Sequence, residues 1–78
     1  MTIEDRLLRI FRDILEDEDL VLTEGSSAAD IEEWDSLVHV TLMFNIEQEY
    51  GIQFSGEEFA RLENVGELQR LVHSKQGR

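Results

Sequence analysis

Apolar residues in the first segment of this chain recur every three or four positions, the spacing of one helical face. They are Ile3, Leu7, Ile10, Phe11 and Ile14. Later segments repeat this spacing, and the chain contains no proline. We therefore predict an all-α fold, a small four-helix bundle with three main helices and one short one, over about 3–17, 36–50, 56–62 and 65–74.

Polar residues at the predicted helix starts support these boundaries. Ser55 and Glu58 form a capping box in front of the short helix, and Asn64 with Glu67 three residues on is placed to cap the last helix. The second helix is predicted to begin at Asp35 or Ser36.

A long connection lies between the first two helices, because residues 20–34 show no sustained period. Connections of this length are uncommon in compact domains and are often functional. Its apolar residues are expected to pin it to the bundle, and they are Leu20, Val21, Leu22, Ile31 and Trp34.

The chain is short and acidic. Its 78 residues fit a single domain, 1–78, and its formal charge is −11. This charge repels nucleic acid and anionic membrane surfaces and favours partners with basic surfaces. The N-terminal segment lacks the continuous apolar stretch of a signal peptide or membrane helix, so we expect a cytoplasmic monomer without membrane insertion.

Residue types needed for catalysis or metal binding are scarce. The chain has no cysteine, so packing alone holds the fold, and any thiol that it uses must come from elsewhere. His39 and His73 are both expected to face solvent, and two separate histidines do not make a metal site. Asp35, Ser36 and His39 match a hydrolase triad in residue type but not in geometry, because Asp35 adjoins the serine. We predict no catalytic and no metal-binding residue.

The second helix has two apolar faces. One is the predicted core face and consists of Leu42, Met43, Ile46 and Tyr50. The other contains Leu37, Val40 and Phe44, which either pack inside the bundle or form a docking patch beside Ser36 with Glu47 and Glu49 at its rim. The sequence leaves these two alternatives open. From its local setting, Ser36 is more often an N-cap than a functional serine.

The tripeptide DSL at Asp35–Leu37 opens a helix that ends in EQEYGI, after a long loop and before a short helix and a capped final helix. In an acidic, cysteine-free chain, this arrangement resembles the acyl carrier protein family. The resemblance implies that a phosphopantetheinyl transferase attaches 4'-phosphopantetheine from coenzyme A to Ser36, which Asp35 and Leu37 flank. The added thiol would hold acyl or aminoacyl intermediates as thioesters.

The resemblance also implies partner enzymes, namely acyl or aminoacyl ligases, synthases or transferases with basic docking surfaces. The implied docking residues are Trp34, Leu37, Val40, Phe44 and Glu47. Fatty-acid synthase carriers tend to have a glycine two residues before the aspartate and more acid early in the second helix. This chain has Glu33 before Trp34 and then Val38, His39 and Thr41.

That departure favours a carrier for a dedicated or secondary pathway making a specialised lipid, a polyketide or a peptide. The alternative function is an unmodified structural or regulatory interaction module with the same fold. The sequence determines neither the cargo nor whether the bundle encloses it.

Overall fold

The structure, a computed structural model, describes residues 3–76. Within that range it contains four helices and no strand, which confirms the predicted all-α bundle. The helices are α1 (Asp5–Leu15), α2 (Ser36–Tyr50), α3 (Gly56–Arg61) and α4 (Val65–Gln76). The bounds of α2 are those predicted, α3 ends one residue earlier than predicted, and α4 continues two residues further.

The first helix is shorter than its predicted range of 3–17. It starts only at Asp5, because Glu4 is extended and its backbone N–H donates to Gln69 Oε1 at 2.8 Å. It ends at Leu15, because Glu16 adopts the left-handed conformation with φ 54° and its N–H turns back to the Arg12 carbonyl.

One face of each long helix builds the core. The four predicted core residues of α2 are all buried, which confirms that face. They pack with residues of α1 and α4, namely Leu7, Phe11 and Leu15 from α1 and Val65, Leu68 and Val72 from α4. No residue of α3 is fully buried, so this short helix lies over the edge of the core.

The capping predictions for the two later helices are confirmed. Both hydrogen bonds of the Ser55–Glu58 capping box are present at the start of α3. At the start of α4, Asn64 Oδ1 accepts from the Glu67 N–H at 2.8 Å.

The long loop is attached to the bundle by buried side chains and by hydrogen bonds to the start of α4. Leu22 and Trp34 are buried in the core, whereas Val21 is 75% exposed, so the prediction that Val21 pins the loop is wrong. The carbonyls of Ser26 and Glu24 accept from the N–H groups of Val65 and Gly66 at 2.8 and 2.9 Å. They thereby satisfy donors that the first turn of α4 leaves without helical partners.

A glycine is needed at this contact between the loop and α4. A Cβ on Gly66 would lie 2.9 Å from the Cβ and 3.0 Å from the carbonyl oxygen of Glu24. The loop backbone therefore approaches α4 more closely than any other residue at this position allows.

A polar cluster closes the opposite end of the bundle. Tyr50 donates to one carboxylate oxygen of Glu4 at 2.6 Å, and His73 Nε2 lies 3.0 Å from the other. Partial burial alone would raise the pKa of Glu4, but the hydrogen bonds from Tyr50 and His73 outweigh it, so the pKa falls below its ordinary 4.5. His73 is exposed as predicted, yet it ties α4 to the segment before α1.

This cluster predicts an acid-dependent loss of stability. Because the folded pKa of Glu4 is depressed, its contribution is fully present above pH 4.5 and is lost as the pH falls through the folded value. Tyr50→Phe removes the hydrogen-bond donor and should lower the free energy of unfolding by about 1.5–3 kcal/mol at neutral pH. Denaturant unfolding across acid pH should show that difference shrinking as Glu4 protonates. A difference independent of pH would contradict this account.

Candidate functional site

The start of α2 is capped by Asp35. This residue is extended, with φ −96° and ψ −173°, and its Oδ1 accepts from the Val38 N–H at 2.9 Å. Its backbone carbonyl accepts the first helical hydrogen bond, from the His39 N–H at 2.9 Å. Of the two residues that the sequence allowed as the cap, the structure selects Asp35.

Ser36 therefore has a different position from the one that a capping role requires. It is the first residue of α2 and is exposed to solvent. Within residues 3–76, its hydroxyl makes no hydrogen bond. Capping thus does not explain Ser36, and its hydroxyl is accessible to an external reagent.

An open groove of about 610 Å³ lies beside Ser36. The end of the long loop, the first turns of α2 and the α3 region form its walls. Its apolar side chains include Ala28, Trp34, Val40, Phe59 and Leu62. The accessible hydroxyl and the groove lie at the same end of α2.

A row of rings supports the floor of this groove. Trp34 is only 7% exposed, with its ring edge-on to Phe11 at 5.2 Å and stacked on His39 at 5.9 Å. His39 in turn meets Phe59 edge-on at 4.9 Å. Trp34, one of the predicted docking residues, thus has its ring largely buried between α1 and α2 and reaches the surface only at the groove.

The hydrogen bonds of His39 fix its tautomer. Trp34 Nε1 lies 3.2 Å from His39 Nδ1, and since an indole nitrogen can only donate, Nδ1 accepts. The proton is then on Nε2, which donates to the Phe59 carbonyl at 3.2 Å. The prediction that His39 faces solvent is therefore wrong. Periodicity could not reveal this contact, because Phe59 lies twenty residues further along the chain.

The same contacts exclude a hydrolase triad. Both imidazole nitrogens of His39 are engaged by Trp34 and Phe59, and neither pairs with Ser36 or Asp35. The described residues also contain no group of three or more side chains suited to hold a metal ion. None of the helices in residues 3–76 has the length and apolar character needed to cross a membrane.

The outer face of α2 presents an apolar patch to solvent, consisting of Leu37, Val40 and Phe44. Their exposures are 75%, 52% and 60%, so packing of this face inside the bundle is excluded. Glu47, the predicted rim residue, is half-buried, and its carboxylate accepts from the Phe54 N–H at 2.8 Å. It therefore also fixes the turn after α2.

A family model described as "Phosphopantetheine attachment site" matches residues 5–72. The chain is similar to the holo acyl carrier protein from Geobacter metallireducens, solved by solution NMR, with a TM-score of 0.91 and 44% sequence identity. That match covers 100% of this chain and 90% of the other. No curated protein sequence gives a significant match.

The division of roles between Asp35 and Ser36 predicts that only the Asp35 substitution lowers stability appreciably. Asp35→Ala removes the cap of α2 and should cost about 0.5–2 kcal/mol. Ser36→Ala should change stability by less than about 0.5 kcal/mol, because the hydroxyl holds nothing in place. Thermal unfolding followed by circular dichroism measures both. A larger loss with Ser36→Ala than with Asp35→Ala would reverse the assignment.

Proposed function

This chain belongs to the acyl carrier protein family, and from that premise we propose that Ser36 is the residue to which its prosthetic group is attached. Proteins of this family are carriers and not enzymes, and the group that they carry covalently is phosphopantetheine.

One observation carries the proposal for Ser36. Its hydroxyl is exposed at the first position of α2 while its neighbour Asp35 does the capping. A serine with a structural task at a helix start would itself accept from a first-turn N–H group.

The surroundings of Ser36 fit a phosphodiester. The first N–H groups of a helix lack helical acceptors, and the positive end of its dipole favours an anion by about 0.3–1 kcal/mol at an exposed site. The first turn of α2 contains no acidic residue that would oppose this effect. Asp35 is the neighbouring residue with the same negative charge as the phosphodiester, and its Oδ1 accepts from the Val38 N–H. When bound, the prosthetic group supplies a thiol at the end of a flexible arm.

We propose that partner enzymes dock on the apolar patch of α2. Its centre is apolar, and the chain as a whole is strongly acidic, with 18 acidic against 7 basic residues. Partners would include a phosphopantetheinyl transferase and an acyl or aminoacyl ligase, synthase or transferase, each combining an apolar contact with basic residues around it. The first turn of α2 carries no acidic residue. Docking on the patch therefore depends less on charge than on burial of its apolar side chains. This supports a dedicated pathway rather than general fatty-acid synthesis.

Intact mass spectrometry tests the attachment site. The protein is incubated with coenzyme A and a broad-specificity phosphopantetheinyl transferase, with Ser36→Ala in parallel. We expect wild type to gain the mass of one phosphopantetheine and Ser36→Ala to gain none.

The matched control is Ser55→Ala, which alters another exposed serine at a helix start, although that one caps α3. It should be modified like wild type. Modification of Ser36→Ala would show that the site is elsewhere. A lack of modification of wild type, when a control carrier reacts, would favour the unmodified interaction module.

If partners dock on this patch, substitutions in it should weaken the reaction with the transferase without lowering the stability of the fold. Leu37→Ala and Phe44→Ala should each lower kcat/KM of the transferase about tenfold, as loss of a central interface side chain does, with little change in thermal stability. Val21→Ala is the matched control, because Val21 is as exposed as Leu37 but lies in the long loop. Leu42→Ala, in the core, should instead cost about 2–5 kcal/mol of stability. Unchanged kinetics in both patch variants would contradict the assignment.

A further inference from the structure

Two cavities meet behind Ser36. The outer one is the groove beside the serine, and the inner one is a small cavity of about 60 Å³ that reaches Met43 and Leu68 in the core. The two share Ala28, Trp34, His39 and Leu62 in their walls. The route from the groove beside Ser36 into the inner cavity passes this shared wall.

His39 is the polar member of that wall. It lies three residues after Ser36 and therefore on the same face of α2, one turn further along. Its two ring nitrogens bind Trp34 in the loop end and the carbonyl of Phe59 in α3. The imidazole thus joins the three segments whose separation would open the inner cavity.

We propose that His39 is a specificity-determining residue that closes the interior of the bundle, so that the cargo of this carrier is a short or polar acyl group held outside the core. This inference rests on the proposed attachment at Ser36. A long alkyl chain would gain from burial, but here burial requires the imidazole to swing away.

Opening the wall would leave polar groups without partners. Displaced from its position, His39 no longer accepts from the Trp34 indole N–H or donates to the Phe59 carbonyl, and both groups lie in half-buried or buried residues. Unpaired polar groups in such places are costly, and an alkyl chain offers them no hydrogen bond.

The far side of the inner cavity also resists enlargement. Glu63 and Asn64 line it, and the Asn64 side chain is already engaged in capping α4. Moving α3 outward would strain a second tie, the ion pair of 2.8 Å between Glu58 and Lys75. A short or polar group, in contrast, fits the outer groove without disturbing either contact.

The test uses the carrier loaded at Ser36 from coenzyme A analogues that bear amide-linked acyl groups of two or eight carbons. Loading is first verified by intact mass. Two readouts follow, the melting temperature and the NMR signal of the Met43 methyl group, which lies at the inner cavity. The variants are His39→Ala and, as matched control, His73→Ala at the opposite end of the bundle.

In wild type, and likewise in His73→Ala, we expect the melting temperature and the Met43 signal to be the same with the two-carbon and the eight-carbon chain. In His39→Ala, the longer chain should enter the core, with a gain of about 3–6 °C for each methylene buried and a shift of the Met43 signal. If His39→Ala does not fold, Trp34→Phe replaces it, because it removes the indole donor and keeps a ring in the core. That variant should show the same dependence on chain length.

Three results would overturn the inference, and they are distinguishable. If wild type gains stability with the longer chain and its Met43 signal shifts, the interior is open. If neither wild type nor the variants respond to chain length, His39 is not what excludes the chain. If the mass shows no loading at all, the attachment at Ser36 fails, and the inference fails with it.

Discussion

The rest of the site depends on the packing of the Trp34 ring in the core. Its ring packs edge-on against Phe11 of α1, stacks on His39 of α2 and donates a hydrogen bond to the same imidazole. Full burial of a large aromatic side chain is among the strongest contributions that one residue makes to a small core. Because Trp34 ends the long loop, its position determines where α2 begins, and Asp35 and Ser36 follow it directly into the cap and the first helical position.

The helix that starts there serves two environments at once. Its inner face is almost fully buried, with Leu42, Met43 and Ile46 at 0–1% exposure, while Leu37 on its outer face is 75% exposed. Burial of the inner residues holds the bundle together, since each contributes about 1.5–3 kcal/mol. The outer residues contribute little to folding, so they are available for contact with other proteins. A helix divided in this way can lose an outer apolar residue without losing its fold.

Several basic residues form ion pairs with acidic residues of the same chain. Arg6 binds Glu49, Arg70 binds Glu24, and Lys75 binds Glu58, each joining two separate segments. The first two pairs are about half exposed, and exposed pairs add at most about 1 kcal/mol each, and less in salt. Their larger effect is that most remaining surface charge is acidic. Such a field attracts basic partners from a distance, and in the docking proposed above the apolar patch on α2 supplies the short-range contact.

The sequence by itself determined the four helices, the core face of α2, the caps of α3 and α4, and the pair of residues, Asp35 and Ser36, at the start of α2. These features depend on spacings of three or four residues, which a linear sequence shows directly. Only the tertiary structure decided that Asp35 is the cap, that Trp34 and His39 face inward, and that the Glu47 carboxylate binds the turn after α2. Those outcomes depend on where a distant backbone segment lies, as with His39 and Phe59. Local periodicity contains no information about such contacts, because packing between elements fixes them.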